Sequence, residues 1–266
     1  MAGSAQLRAA FDLRQLDGDL FAVSPLGIRP TRRTFGGQVA AQALRAAALT
    51  VDSRRHVHSL HSYFIRPGRP EDPLFFAVSR TRDGRTFSTR RVAASQGGKP
   101  IFELIASFHD AEPGEQWQSG RPPSVPSVAE LAPVPLPWFF GEDQSVEIRP
   151  IIPAGPERPV ISHPFWLRVT MPDSAEPAMH ACLLTYLSDI GVASVARSPE
   201  SRARHSLRVS LDHSIWFHRP PDVGQWLLYA MSPVANFGAR GLAQGSIWTA
   251  DGTLIASVAQ EVLLRS

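Results

Sequence analysis

HSYFIRP, residues 61–67, comes back as HSIWFHRP, residues 213–220; aligned on the closing Arg-Pro, the two strings lie 153 positions apart. From Pro67 to the turn glycine Gly98 is 31 residues, and from Pro220 to the turn glycine Gly252 is 32. KPIFELIASF (99–108) follows the first turn and TLIASVAQEV (253–262) the second, both strand-like. A unit of about 100 residues is therefore present twice. Two copies are too few for a solenoid and suit a pseudo-dimer.

Each copy opens with one helix. In the first, Gly36-Gly37 precede QVAAQALRAAALT (38–50), apolar on nearly every face. A helix of that kind is buried all round. In the second, Pro177 opens AMHACLLTYLS (178–188), with Pro at the first helical position and Asp173 or Ser174 upstream as the expected cap. Strands follow in both copies: VHSLHSYFI, LFFAVSR, TFSTRRVAAS and PIFELIASF, then SLRVSLDHSIWF, QWLLYAM, GLAQGSIWT and TLIASVAQEVLL. Asp83-Gly84, Gly97-Gly98 and Asp251-Gly252 mark turns between them. One long buried helix followed by a run of antiparallel strands requires a sheet that curls around the helix, an α+β arrangement.

Between the copies the composition changes. Residues 113–159 hold 11 of the 24 prolines. Proline lacks the amide donor and fixes φ, so this stretch is neither a regular helix nor a central strand. It reads as an extended linker, packing in places through Trp138, Phe139 and Phe140. The expected division is 1–112, a linker 113–159, and 160–266.

Composition narrows the function. Hydrophobic residues make up 43% and charged residues 19%, enough for a sizeable core and too few charges for global disorder. No uninterrupted apolar run approaches the roughly 18–20 residues of a membrane helix, and the N-terminal stretch lacks the apolar core of a secretory signal. The net charge of +3 rests on 26 Arg and a single Lys, Lys99, without a basic tail or block, so no nucleic-acid partner is expected. Cys182 is the only cysteine, which excludes an internal disulfide and a multi-cysteine zinc site and favours a reducing, cytoplasmic compartment.

Several strings together resemble the type II, TesB-like acyl-CoA thioesterases: FGGQVAAQAL (35–44), VHSLHSYFIRPG (57–68), RDGRTFSTRRVAASQGGKPIFELIASF (82–108), LDHSIWFHRP (211–220) and DGTLIASVAQE (251–261). The resemblance implies a double hotdog fold: two antiparallel sheets, each wrapped around a long central helix. It implies hydrolysis of fatty acyl-CoA to free fatty acid and coenzyme A with no cofactor, and a homo-oligomer, dimer or tetramer. Carried over by motif, the catalytic residues are Asp189 in YLSDIG, Ser210 just before LDHSIWF, and Gln260 in ASVAQE. Serine stands where the family more often has threonine; the hydroxyl is kept, and the methyl that fixes its rotamer is lost. The peroxisomal Ser-Lys-Leu ending of animal relatives is replaced by LLRS.

The chemistry suits these residue types. A thioester carbonyl is electrophilic and a thiolate leaves readily, so an oriented water, a base and an oxyanion donor suffice. Asp189 at a helix C-terminus is an acid whose pKa the dipole and burial both raise. Ser210 and Gln260 can hold the water, and the Gln260 amide can donate to developing charge. Gly36 and Gly37 either present helix N-terminal amides to an anion or carbonyl or let the helix start pack closely. His58 is a further candidate to line the thioester pocket. Otherwise the histidines read as hydrogen-bonded groups inside the sheet, since no G-x-S-x-G elbow supports a Ser-His-Asp triad around His58, His61, His213, Ser59 and Asp212. No H-E-x-x-H or paired His/Asp spacing calls for a metal. Arg80, Arg82, Arg85, Arg90 and Arg91 cluster around one hairpin, as a solvated strand face or as partners for the coenzyme phosphates. A non-catalytic acyl-CoA binding or sensing protein of the same fold is the alternative. A hotdog hydratase is not, because the residues after Asp189 lack its D-x-N-P-x-H pair.

Overall fold

The computed structural model describes residues 10–25, 33–136, 145–152, 161–170, 176–197 and 207–265. Among the described residues thirteen strands form one sheet in the order β1-β2-β4-β5-β6-β3-β10-β13-β12-β11-β8-β7, with β9 paired to β13 off this path. The strands are β1 (Arg14–Asp17), β2 (Leu20–Val23), β3 (Arg55–Phe64), β4 (Leu74–Asp83), β5 (Phe87–Gln96), β6 (Lys99–Asp110), β7 (Val146–Pro150), β8 (Phe165–Val169), β9 (Leu207–Ser210), β10 (Asp212–Phe217), β11 (Leu227–Phe237), β12 (Arg240–Thr249) and β13 (Leu254–Arg265). Among the described residues three α-helices accompany them, α1 (Gly36–Ala48), α2 (Pro177–Ser188) and the short α3 (Val192–Val195), with a 3-10 turn at Val128–Glu130.

The two expected sheets are thus merged. β3 and β10, the strands that hold the repeated strings, pair antiparallel, with Ser214 opposite His61, two residues 153 apart. A pairing centred on equivalent positions is what a pseudo-twofold axis demands. It also removes two free edges that would otherwise expose unpaired backbone groups.

Burial follows the composition. In α1 every residue from Gly37 to Ala47 except Arg45 is buried, and in α2 every residue from Ala181 to Ser188. The two helices pack on each other inside the curled sheet. The stretch Pro177–Val195 is long and apolar enough to cross a membrane by composition, but its buried side chains belong to the protein core.

Local chemistry sets the ends. Gly97 and Gly98 both have positive φ, 53° and 74°, in the two-residue turn between β5 and β6, the geometry that suits strand twist. The N-cap of α2 is Glu176, without a side-chain cap bond, and Pro177 is the first helical residue; Asp173 and Ser174 lie outside the described residues. Arg90 departs from the solvated-face expectation. It is 1% exposed and donates to the Thr50 carbonyl at 3.0 Å and the Thr50 hydroxyl at 2.8 Å, closing the C-terminal end of α1, and it pairs with Asp83 at 2.7 Å.

Four strands escaped the sequence reading. β1 and β2 are only four residues each. β7 lies in the proline-rich stretch, where Pro150 is tolerated because β7 is an edge strand. β8 precedes α2. SLRVSLDHSIWF also divides at Leu211 into β9 and β10, both paired to β13. The connection before β7 is held on the second half: Gln118 accepts from the Leu254 amide at 2.9 Å, and Trp166 donates to the Pro126 carbonyl at 3.2 Å. Trp138, Phe139 and Phe140 lie outside the described residues.

Candidate functional site

Asp189 is the C-cap of α2 and is buried. The chain turns away from it at Gly191, whose φ of 76° is a conformation that other residues rarely adopt. Opposite Asp189 stands the N-terminus of α1. The Gly37 amide donates to Asp189 Oδ2 at 2.8 Å. Glycine is what permits this approach. A Cβ on Gly36 would meet Asp189 Oδ2 at 2.8 Å and Phe64 at 2.9 Å, and one on Gly37 would collide with the Tyr186 carbonyl. The two readings of the glycine pair are therefore one fact: close packing delivers the amide.

The other carboxylate oxygen faces β13. Gln260 is fully buried, and its Nε2 donates to Asp189 Oδ1 at 2.9 Å and to Ser210 Oγ at 2.7 Å. Ser210, at the end of β9, is the partly exposed member of the three. β13 is long enough to pair with β9 and β10 at once, which brings Ser210 beside Gln260. The structure thus gathers Asp189, Ser210, Gln260, Gly36 and Gly37 in one place.

Burial pushes Asp189 up from the usual carboxylate range to about 6, against the bonds from Gln260, Gly37 and Ser210 that favour the charged form. A carboxylate at that pKa is poised to accept a proton near neutral pH. It offers about four lone-pair directions, so its three bonds leave room for a water.

His58 lies elsewhere. It bonds to Ser107 at 2.8 Å and lines a cavity of about 570 Å³ between the C-terminal end of α1 and the start of α2. Asp189, Ser210 and Gln260 are absent from that lining. The other two histidines of the candidate triad are hydrogen-bonded in the sheet: His61 to Ser214 at 3.2 Å, and His213 to Ser188 at 2.7 Å and to Gln260. Asp212 accepts from the Glu261 amide at 2.6 Å and belongs to no triad. Sequence reasoning missed Ser188 and Tyr229, whose hydroxyl donates to the Ser188 carbonyl at 2.7 Å. Nothing local marks either, since both act through contacts made by distant strands. Among the described residues no three His, Cys, Asp or Glu side chains are grouped to hold a metal ion.

Residues 155–263 match the family model described as "Acyl-CoA thioesterase", and residues 25–109 match "Acyl-CoA thioesterase N-terminal domain". The chain is 36% identical to human acyl-coenzyme A thioesterase 8, covering 98% of this chain and 89% of that protein. It is 35% identical to acyl-CoA thioesterase 2 of Haemophilus influenzae, covering 88% of each. Among solved structures it is similar to the acyl-CoA thioesterase II TesB2 of Mycobacterium marinum, with a TM-score of 0.82, 36% identity, and 97% and 98% of the two chains covered. A hotdog-fold protein of Alicyclobacillus acidocaldarius shares the fold at 19% identity and a TM-score of 0.76, with 97% of each chain covered.

Proposed function

The chain belongs to the acyl-CoA thioesterase family and is a thioester hydrolase; from that premise we propose that it hydrolyses fatty acyl-CoA by direct attack of water, with Asp189 as base and Ser210 and Gln260 orienting the water and the thioester. The observation that carries this reading is the double donation of Gln260 Nε2 to Asp189 Oδ1 and Ser210 Oγ. It ties the base to a partly exposed hydroxyl beside which a water can sit. The water gives a proton to Asp189 and its oxygen bonds to the carbonyl carbon. The developing oxyanion is met by the N-terminal amide of α1 at Gly36, where the helix dipole favours negative charge, while Gln260, whose two amide hydrogens are committed to Asp189 and Ser210, holds the base and the hydroxyl in place. The C–S bond then breaks, and the proton held by Asp189 leaves with the coenzyme A sulfur. No nucleophile of the chain and no cofactor is needed in this sequence of steps.

The same reading keeps the two halves, 1–112 and 160–266, as the structural units, supported by separate family matches to 25–109 and 155–263. It places the chain in a reducing, cytoplasmic compartment, consistent with its lone buried Cys182. It also makes the protein a homo-oligomer. Tyr63, Ile105 and Trp216 are 65%, 44% and 40% exposed on adjoining strands β3, β6 and β10, an apolar outer face that a second copy would cover.

The test is release of free thiol from a panel of acyl-CoAs of increasing chain length, palmitoyl-CoA included, by the parent and by Asp189→Asn. Steady turnover by the parent, reduced about 10²–10⁴-fold in the variant, is the expected result. Near-parental turnover in a folded Asp189→Asn protein moves the base elsewhere.

A further inference from the structure

We propose that His213 is a positioning residue for this reaction: its ring fixes which way the Gln260 amide faces, so that Nε2 rather than Oε1 is presented to Asp189 and Ser210. The proposal rests on the assignment of Asp189, Ser210 and Gln260 above and adds the group that keeps them in register.

The two ends of an amide are alike in shape and opposite in hydrogen bonding. Gln260 Nε2 carries two hydrogens and meets two acceptors, Asp189 Oδ1 at 2.9 Å and Ser210 Oγ at 2.7 Å. Reversed, the amide would set Oε1 against a carboxylate oxygen, two acceptors in contact. What opposes reversal sits at the other end, where Oε1 meets His213 Nδ1. For that contact to be a hydrogen bond, Nδ1 must carry the ring proton and donate it.

The second ring nitrogen makes this possible. His213 is fully buried, and burial holds it down at about 4, so near neutral pH the ring has one proton to place. With that proton on Nδ1, Nε2 accepts from Ser188 Oγ at 2.7 Å. The other tautomer would donate from Nε2 to Ser188 Oγ, send the Ser188 proton to the Thr185 carbonyl at 2.8 Å, and leave Nδ1 bare. A bare Nδ1 demands the reversed amide, which an ionised Asp189 repels. Tautomer, amide orientation and carboxylate are thus linked. The chain of bonds runs from Ser188 through His213 and Gln260 to Asp189, and so ends on the residue next to the one where it began.

The internal duplication supplies a control. Ser214 and His61 are equivalent, and they pair with Ala259 and Ile105. One step along, His213 corresponds to Leu60 and Gln260 to Ala106, which are themselves cross-strand partners. The half without the catalytic carboxylate fills the same two places with apolar side chains. The fold therefore does not require a His–Gln pair there, and its presence tracks Asp189.

The experiment compares His213→Asn with His213→Gln, beside Asp189→Asn and Gln260→Ala. An Asn amide nitrogen falls where Nδ1 stands and can donate to Gln260, whereas a Gln amide reaches toward the Nε2 position and Ser188. Expected are kcat within a few-fold of the parent for His213→Asn, and a loss approaching about 10²-fold with little change in KM for His213→Gln, as when an oriented donor is lost. The acid limb of the pH–kcat profile should also move to higher pH in His213→Gln, because the bond from Gln260 is one of those that lower the Asp189 pKa. His163 and Tyr229, buried nearby, stay neutral through that range, and Asp212, whose carboxyl burial also raises, is common to the parent and both variants. If His213→Gln fails to fold, His213→Leu, which installs the residue of the first half, should show the same loss. Equal kcat and an unmoved acid limb for the Asn and Gln variants, with Asp189→Asn and Gln260→Ala inactive, overturns the positioning role and leaves the catalytic assignment standing. Parental turnover in Asp189→Asn and Gln260→Ala overturns that assignment, and the role of His213 falls with it.

Discussion

Gly37 of the first half donates its backbone amide to Asp189 of the second across 152 residues of chain. The negative end of one buried helix therefore meets the positive end of the other, and the carboxylate lies at the junction. Duplication matters to the chemistry for this reason. The carboxylate, hydroxyl and side-chain amide come from one copy, and the helix N-terminus from the other. Each terminus leaves backbone groups without helical partners, and here one such donor is satisfied by the group proposed to act as base.

Gly37→Ala tests the junction directly. Alanine is favoured over glycine within a helix by about 1 kcal/mol. Its Cβ, however, would strike the Tyr186 carbonyl and come within 2.7 Å of the Phe35 ring. The helices must separate, so both melting temperature and turnover should fall. A variant of raised stability and unchanged turnover would show that the approach to Asp189 is not needed.

Asp189 should write its pKa into both rate and stability. Its folded pKa is raised, to about 6 from 3.8. The ionised base is present above that value, so kcat should rise with pH through an apparent pKa near 6, and Asp189→Asn should lack this limb. For stability the sign is opposite. Between the two pKa values the folded protein binds a proton that the unfolded chain has released, so stability is lost as pH rises toward the folded pKa. A shift of that size corresponds to roughly 3 kcal/mol, at about 1.4 kcal/mol per unit. Denaturant titrations at pH 5 and pH 7.5 should show the parent losing stability relative to Asp189→Asn. An identical difference at both pH values would contradict a titrating Asp189.

Gln260 and Ser210 should separate by what their polar atoms do. Gln260→Ala should lower turnover by about 10²-fold or more, as removal of an oriented donor in an active site does. Gln260→Glu, nearly isosteric, should be at least as damaging because it sets a second carboxylate against Asp189. Ser210→Ala should lower turnover, while Ser210→Thr should keep or raise it by retaining the hydroxyl and restricting its rotamer. Equal rates for Ser210→Ala and the parent would remove the hydroxyl from the mechanism.

The outer face of β3, β6 and β10 predicts assembly. Sedimentation should give a mass at least twice the 29.1 kDa of the chain at micromolar concentration. Tyr63→Glu with Trp216→Glu should shift it toward the monomer, because charge on a covered apolar face is left without solvation. A parent that sediments as a monomer excludes the oligomer.

The repeat of HSYFIRP and HSIWFHRP, the two apolar helices and the turn glycines were enough to place both long helices and the longer strands, because hydrophobic period and turn chemistry are local properties. Asp189, Ser210 and Gln260 could be named from motif resemblance, but their contact could not be read from spacing. They sit on α2, β9 and β13, which only the pairing of β13 with both β9 and β10 brings together. The merging of two sheets into one was likewise decided at the β3–β10 seam, a long-range pairing that no local pattern encodes. His213 carried no more signal than His61 in the sequence. Complete burial and the partners at its two ring nitrogens, Gln260 and Ser188, distinguish it. Side-chain type is written residue by residue. The desolvation that raises Asp189 and holds His213 neutral arises only when distant strands close over them and exclude water.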